Sequence, residues 1–191
     1  MKKLLFTLLL GCYALAGFSQ VRFDAKVGIL MANVNANKAT TMKTGYALGV
    51  GMDYPINNKW AFQTGLMFTG KGYKVFDIKA KPHYLEIPLL AAFKVPISDN
   101  VNFVANAGPY LAFGLGGKTK TEDKGTLVGT NYFGEGKARR SDLGLQYGIG
   151  AEFGNILLNL TGQHGFISPF DDSYARNLAF TLTLGYRFRI H

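Results

Sequence analysis

Along residues 142–153, DLGLQYGIGAEF, every second position is apolar. Leu143, Leu145, Tyr147, Ile149, Ala151 and Phe153 fall on one face of an extended chain; Asp142, Gly144, Gln146, Gly148, Gly150 and Glu152 fall on the other. The same alternation runs through 45–54, 60–71, 83–95, 101–113 and 177–190, and more weakly through 21–34 and 156–166. It predicts eight strands of roughly 10–13 residues, each long enough to cross a bilayer at a tilt. No stretch of useful length carries a helical period.

The segments between them alternate in length. PINNK (55–59), PISDN (96–100) and GN (154–155) are short turns; longer connections are expected near 35–44, 72–82, 115–141 and 167–176. Short turns at one end and long loops at the other are the signature of an eight-stranded, antiparallel, up-and-down transmembrane β-barrel, all-β, with both termini at the short-turn end.

A soluble barrel would turn the apolar face inward. Here the mixed face is rich in Gly and Ala, which fit a narrow lumen. The apolar face carries Tyr54, Trp60, Phe62, Phe93, Phe103, Phe153, Tyr186 and Phe188 near the short turns, as an interfacial aromatic girdle would. The apolar face is therefore expected to meet lipid. In HYLEIPLLAAFKVPI (83–97), Leu85 and Ile87 then face lipid and Glu86 faces the lumen, within reach of Lys71 as an ion pair or through a shared water. On this reading Glu86→Leu is tolerated if the lumen repacks.

Closure pairs the last strand with the first. It brings Arg187 and Arg189 toward Asp24, and with Arg22, Lys26, Asp53, Lys94 and Glu152 these form a mixed-charge plug. Two prolines, Pro88 and Pro109, lie within strands, where each removes a ladder donor. With Val95 opposite Val101 across PISDN, Pro88 falls opposite Gly108 and Pro109 opposite Ile87. Both would then weaken one rung between the fourth and fifth strands through a bulge or a local gap.

Composition narrows the function. The chain has 191 residues, a net charge of +9, 24 Gly, 6 Pro and a single Cys, Cys12. MKKLLFTLLLGCYALAGFSQ has the basic start, apolar middle and small-residue end of an export signal, so residues 1–19 are read as a signal peptide and 20–191 as the barrel domain. Cleavage after Ala16 and a lipoprotein box at LLGC are the rival readings. Loss of Lys2 and Lys3 leaves 9 − 2 = +7. The processed chain holds no thiol, which speaks against redox chemistry. No basic-aromatic motif for nucleic acid is present.

Catalytic signals are weak. His164, Ser168 and Asp171/Asp172 match no nucleophilic motif, and His83, His164 and His191 lie in no metal-ligand pattern. GVG (49–51) and GIG (148–150) lie within strands and precede no helix, so they do not cradle phosphate. No cofactor is implied, and the chain is read as a non-enzyme. The segment 116–142 carries Lys118, Lys120, Lys124, Lys137, Arg139 and Arg140, either a solvated loop or a surface for lipopolysaccharide or a partner.

YLEIPLL (84–90) and the closing LTLGYRF (182–188) resemble the PorT-like family of small outer-membrane β-barrels. The resemblance implies an outer-membrane location in a Gram-negative-type cell. It implies little about the task, since members range from secretion-machinery components to proteins with no assigned role. The end also looks like the signal read by the barrel-assembly machinery, a partner during insertion. Thr183, Gly185, Phe188 and Ile190 match its positions, and the chain runs on to Arg189 and His191. The function expected is that of an anchor, structural element or accessory in secretion or adhesion. A narrow porin-like channel and a lipid-modifying enzyme are the alternatives.

Overall fold

The computed structural model describes residues 21–35, 40–75, 78–123, 126–131, 133, 139–167 and 176–188. Nine strands lie within them: β1 (Arg22–Asn35), β2 (Thr40–Pro55), β3 (Trp60–Val75), β4 (Ile78–Ser98), β5 (Val101–Asp123), β6 (Thr126–Asn131), β7 (Ser141–Phe153), β8 (Ile156–Gly165) and β9 (Arg176–Phe188). Eight of them close a barrel: the sheet runs β4-β3-β2-β1-β9-β8-β7-β5, and β4 also pairs with β5. Every pairing is antiparallel. The seam is made by β1 and β9, from Phe23↔Phe188 to Asn35↔Arg176, so no membrane-level edge is left to template aggregation.

Three expectations for the loops are corrected. The stretches 35–44 and 72–82 are largely strand, because β2 starts at Thr40, β3 runs to Val75 and β4 starts at Ile78. Their Lys, Thr and Gly residues read as loop, yet a hairpin that projects into water needs no apolar face to keep its ladder. Within 115–141, β5 continues to Asp123 and β6 pairs with it from Lys118↔Asn131 to Asp123↔Thr126. β6 takes over the edge of β5 that β7 leaves at Phe113↔Ser141.

The short-turn end holds tight connections. Gly154 closes β7–β8 with φ 59°, a left-handed conformation that a side chain would strain. At the β2–β3 turn, Asn57 Oδ1 accepts from the backbone N–H of Lys59 and of Trp60, at 2.9 and 2.8 Å.

The apolar face points outward. Val27, Val50, Ile149 and Leu184 are each more than half exposed, while Asp53, Glu86, Glu152 and Arg187 are buried. In lipid this inversion is favourable: the aliphatic band meets acyl chains and the charges meet one another. Two aromatic rows border the band. The lower holds Tyr54, Trp60, Phe103, Phe153, Tyr186 and Phe188, with Trp60 packed on Phe93 at 5.0 Å. The upper holds Tyr46, Phe68, Phe113, Phe166 and Phe180.

The proline register is also corrected. Val95 pairs with Phe103 and Pro88 with Tyr110, two residues from the expected partners, because the turn leaves Ser98↔Val101 as the last pair after a shift. The prolines interrupt two ladders rather than one. The β3–β4 pairing lapses between Thr64↔Leu89 and Met67↔Glu86, a gap that spans Pro88. The β4–β5 pairing lapses between Pro88↔Tyr110 and Ala91↔Ala107, opposite Pro109. The β5–β7 ladder runs unbroken through Pro109↔Leu145. No register shift marks Pro88 or Pro109; those of β4–β5 fall at His83/Tyr84 and Pro96/Ser98.

Candidate functional site

The lumen contains two charge clusters. The lower sits above the short turns and draws one side chain from each of four strands. Lys94 (β4) donates to Asp53 Oδ2 (β2) at 2.7 Å and to Glu152 Oε1 (β7) at 2.9 Å. Arg187 (β9) grips Glu152 with both Nη atoms, at 2.9 and 2.7 Å, and its Nη2 lies 3.8 Å from Asp53. Such a fork is the geometry in which a guanidinium binds a carboxylate best. Gln63 donates to Asp53 at 2.8 Å and accepts from Asn106 at 3.1 Å. The four charges sum to zero, which a water-poor interior demands.

Asp24 lies opposite Arg187 in the β1–β9 register, and its close ion partner is Lys26, 3.0 Å from Oδ1. That pair is not aligned as a hydrogen bond. Arg22 is exposed at the rim, outside the cluster, and Arg189 lies outside the described residues.

The upper cluster is centred on Glu86. Lys71 Nζ is 2.7 Å from Glu86 Oε1, Thr69 Oγ1 donates to the same oxygen at 2.8 Å, and Gln163 Nε2 donates to Oε2 at 2.7 Å. Gln163 also joins Gln146 at 3.0 Å and accepts from Lys71 at 3.3 Å. The Lys71 ammonium lies 5.2 Å from the ring centre of Tyr84 and 5.6 Å from that of Tyr110, whose hydroxyl donates to Asp142 at 3.2 Å. Phe133 enters from the segment between β6 and β7 and stands edge-on to Tyr84 at 5.6 Å. A Cβ on Gly114 would run into the Phe133 ring, so glycine there makes room for the stopper. Arg140 covers that ring from outside at 5.8 Å.

Between the clusters lies a polar cavity of about 70 Å³, bordered by Gln63, Asn106, Gln146, Asn159, Thr181 and Arg187. That is room for about two waters. Below the lower cluster the barrel opens into a vestibule of about 850 Å³ at the short-turn rim, with Lys94, Glu152 and Arg187 as its roof.

The remaining candidates scatter. Thr183 is buried in the lumen, Phe188 faces outward against Tyr186 at 5.3 Å, and Ile190 lies outside the described residues. Gly185 pairs with Lys26 and Leu157. Lys118 and Lys120 belong to β5 rather than to a loop. Arg139 and Arg140 are exposed, while Lys124 and Lys137 fall outside the described residues. His164 sits on β8, 6.3 Å from Phe166, but Ser168, Asp171 and Asp172 lie outside the described residues, as does the expected signal peptide. Among the described residues no group of His, Cys, Asp and Glu could hold a metal ion.

The sequence reading missed the Gln163, Gln146 and Tyr110 contacts, although their strand positions place all three on the mixed face. It also missed Phe133, whose segment has no alternation to follow.

Solved structures with this fold confirm the architecture. Ail, the attachment invasion locus protein of Yersinia pestis, is 20% identical with a TM-score of 0.50, over 88% of this chain and 99% of that one. Neisserial surface protein A is 14% identical with a TM-score of 0.52, over 87% and 97%. The outer membrane enzyme PagL is 17% identical with a TM-score of 0.50, over 83% and 98%. At such identities the likeness speaks for the fold alone. Among curated proteins none matches the chain. Residues 12–173 match the family described as the outer membrane protein beta-barrel domain. With a lipid-facing apolar band, a charged lumen and a match over most of its length, the chain belongs to this outer-membrane β-barrel family.

Proposed function

We propose that the protein is a non-catalytic, non-conducting outer-membrane barrel that serves as an anchor or accessory, in adhesion or secretion, and works through its projecting hairpins. The observation that carries this reading is the double closure of the lumen. The Asp53–Lys94–Glu152–Arg187 cluster and the Lys71–Glu86–Gln163 cluster leave about 70 Å³ between them. A diffusing solute would have to break hydrogen bonds to buried charges at two levels. An eight-stranded barrel has an interior that its own side chains can fill.

The finer PorT-like assignment, with its link to secretion machinery, rests on YLEIPLL and LTLGYRF and remains part of this proposal. Long strands favour a role at the surface: β4 and β5 have 21 and 23 residues, well beyond what a membrane crossing requires. In planar bilayers the refolded barrel is expected to give no stable conductance steps. Steady unitary conductance would replace this reading with the narrow channel. A lipid A mass spectrum that changes when the protein is deleted would replace it with the lipid-modifying enzyme.

A further inference from the structure

We propose that β6 is a strand-addition site: its outer edge takes an extended, acidic segment of another protein as one more antiparallel strand. Such a site deepens the reading of the projecting hairpins as the working part of the barrel, and rests on it. At membrane level the β1–β9 seam leaves no free edge. The extension reopens one. β6 is the terminal strand of the sheet order and pairs with β5, from Lys118↔Asn131 to Asp123↔Thr126. Among the described residues no strand lies along its other side. In an antiparallel ladder every second residue turns its N–H and C=O away from the partner. The six residues of β6 therefore offer about three donor–acceptor sets to an incoming chain.

Exposed edges are ordinarily blunted with lysine, proline or a bulge. β6 has none of these. Its sequence, TLVGTN, is uncharged, free of proline and half β-branched, and its register with β5 runs without a shift. Such an edge is the template that strand-adding recognition uses. Main-chain hydrogen bonds supply the affinity, and alternate side chains supply the choice of partner.

The register selects the partner. Thr126, Val128 and Thr130 share one face of β6; Leu127, Gly129 and Asn131 share the other. The second face continues the side of β5 that holds positions 118 and 120, both lysine, whose register partners are Asn131 and Gly129. Charge in the extension is mostly positive. Beyond the upper aromatic row, and apart from Lys71, which Glu86 neutralises, β3, β4 and β5 contain Lys74, Lys79, Lys81, Lys118 and Lys120 against Glu122 and Asp123. An added strand with acidic residues on the lysine side and β-branched residues on the other complements this sheet. A second copy fits it less well. Two barrels in one membrane point the same way, so their β6 strands cannot run antiparallel to one another. Nor does β6 hold an acidic residue to offer.

The test uses the full barrel, refolded in zwitterionic micelles, and a short peptide of alternating valine and glutamate. Amide hydrogen exchange is read by NMR across Thr126–Asn131. In the free barrel the amides bonded to β5 should exchange slowly, and the alternate, outward ones fast. The peptide is expected to slow the fast set alone. Its fully N-methylated form, which has no donor on either edge, is expected to bind at least about tenfold more weakly. The Leu127→Glu/Asn131→Glu variant should lose the valine–glutamate peptide and gain a valine–lysine one, and that gain also shows that its hairpin has formed. Equal binding of the N-methylated peptide, no slowing of the fast set, or an unchanged preference in the variant overturns the proposal. So does an outward set that is already slow in the barrel alone. Slowing that grows with protein concentration would then make the occupant a second copy, and slowing that does not would make it the chain itself. Planar-bilayer conductance, which tests the anchor reading, is independent of every one of these outcomes.

Discussion

Lys71 and Glu86 form an ion pair of 2.7 Å in which the side chains are 4% and 2% exposed. The pair has consequences that the sequence reading underestimated. Glu86→Leu leaves Lys71 charged and buried, so it is expected to destabilise the barrel by about 3–5 kcal/mol rather than to be tolerated. Lys71→Met/Glu86→Leu removes both charges and should recover most of that loss. Urea unfolding in micelles, run as a double-mutant cycle, measures the coupling; additive losses would show that the pair is not a unit.

Ile87, next to Glu86 on the other face, tests the direction of the faces. Ile87→Arg is expected to cost about 2–4 kcal/mol if the residue is at mid-membrane. Folding yield into vesicles should fall with it. Asn106→Leu, on the lumen side, should cost less, since it removes an uncharged contact with Gln63 at 3.1 Å.

The lower cluster is expected to act as the floor of the barrel. Asp53→Asn/Glu152→Gln leaves Lys94 and Arg187 face to face without their carboxylates. Stability should fall by about 3–5 kcal/mol. Brief conductance events should appear in planar bilayers where the wild type is silent. A silent variant with the same loss of stability would place the barrier at the upper cluster instead.

Each proline has its own ladder gap. Pro88→Val returns an N–H toward the β3–β4 gap, and Pro109→Val returns one toward the β4–β5 gap. Hydrogen exchange should therefore slow at Gly65 and Leu66 in the first variant and at Leu89 and Leu90 in the second. Slowing in one shared patch would instead support the single-rung arrangement.

The membrane-level architecture was legible because lipid and lumen impose opposite demands on successive residues, and the alternation in DLGLQYGIGAEF reports that directly. The ion-pair partner of Glu86 was legible for the same reason. The register of β4 with β5 was not, because it depends on how many residues of PISDN the turn consumes, and Ser98↔Val101 uses fewer than expected. Nor was the length of the hairpins. Their Lys, Thr and Gly residues carry no apolar alternation, so polar strand and polar loop have the same composition. Phe133 belongs to the same class: its partners Tyr84 and Gly114 are remote in sequence, and only the closed barrel puts them in reach.

The two aromatic rows also act as a ruler. Tyr54 and Tyr46 in β2, and Phe188 and Phe180 in β9, are separated by eight residues. At ~3.3 Å per residue this is about 26 Å along the strand, or about 20 Å along the membrane normal at a tilt near 40°. The apolar waist is thus short relative to an average hydrocarbon core of about 30 Å. Thick bilayers would have to pinch inward around the protein, and thin ones would accept it without deformation. Insertion should be fastest into short-chain lipid, and in mixed membranes the barrel should gather the shorter acyl chains around itself.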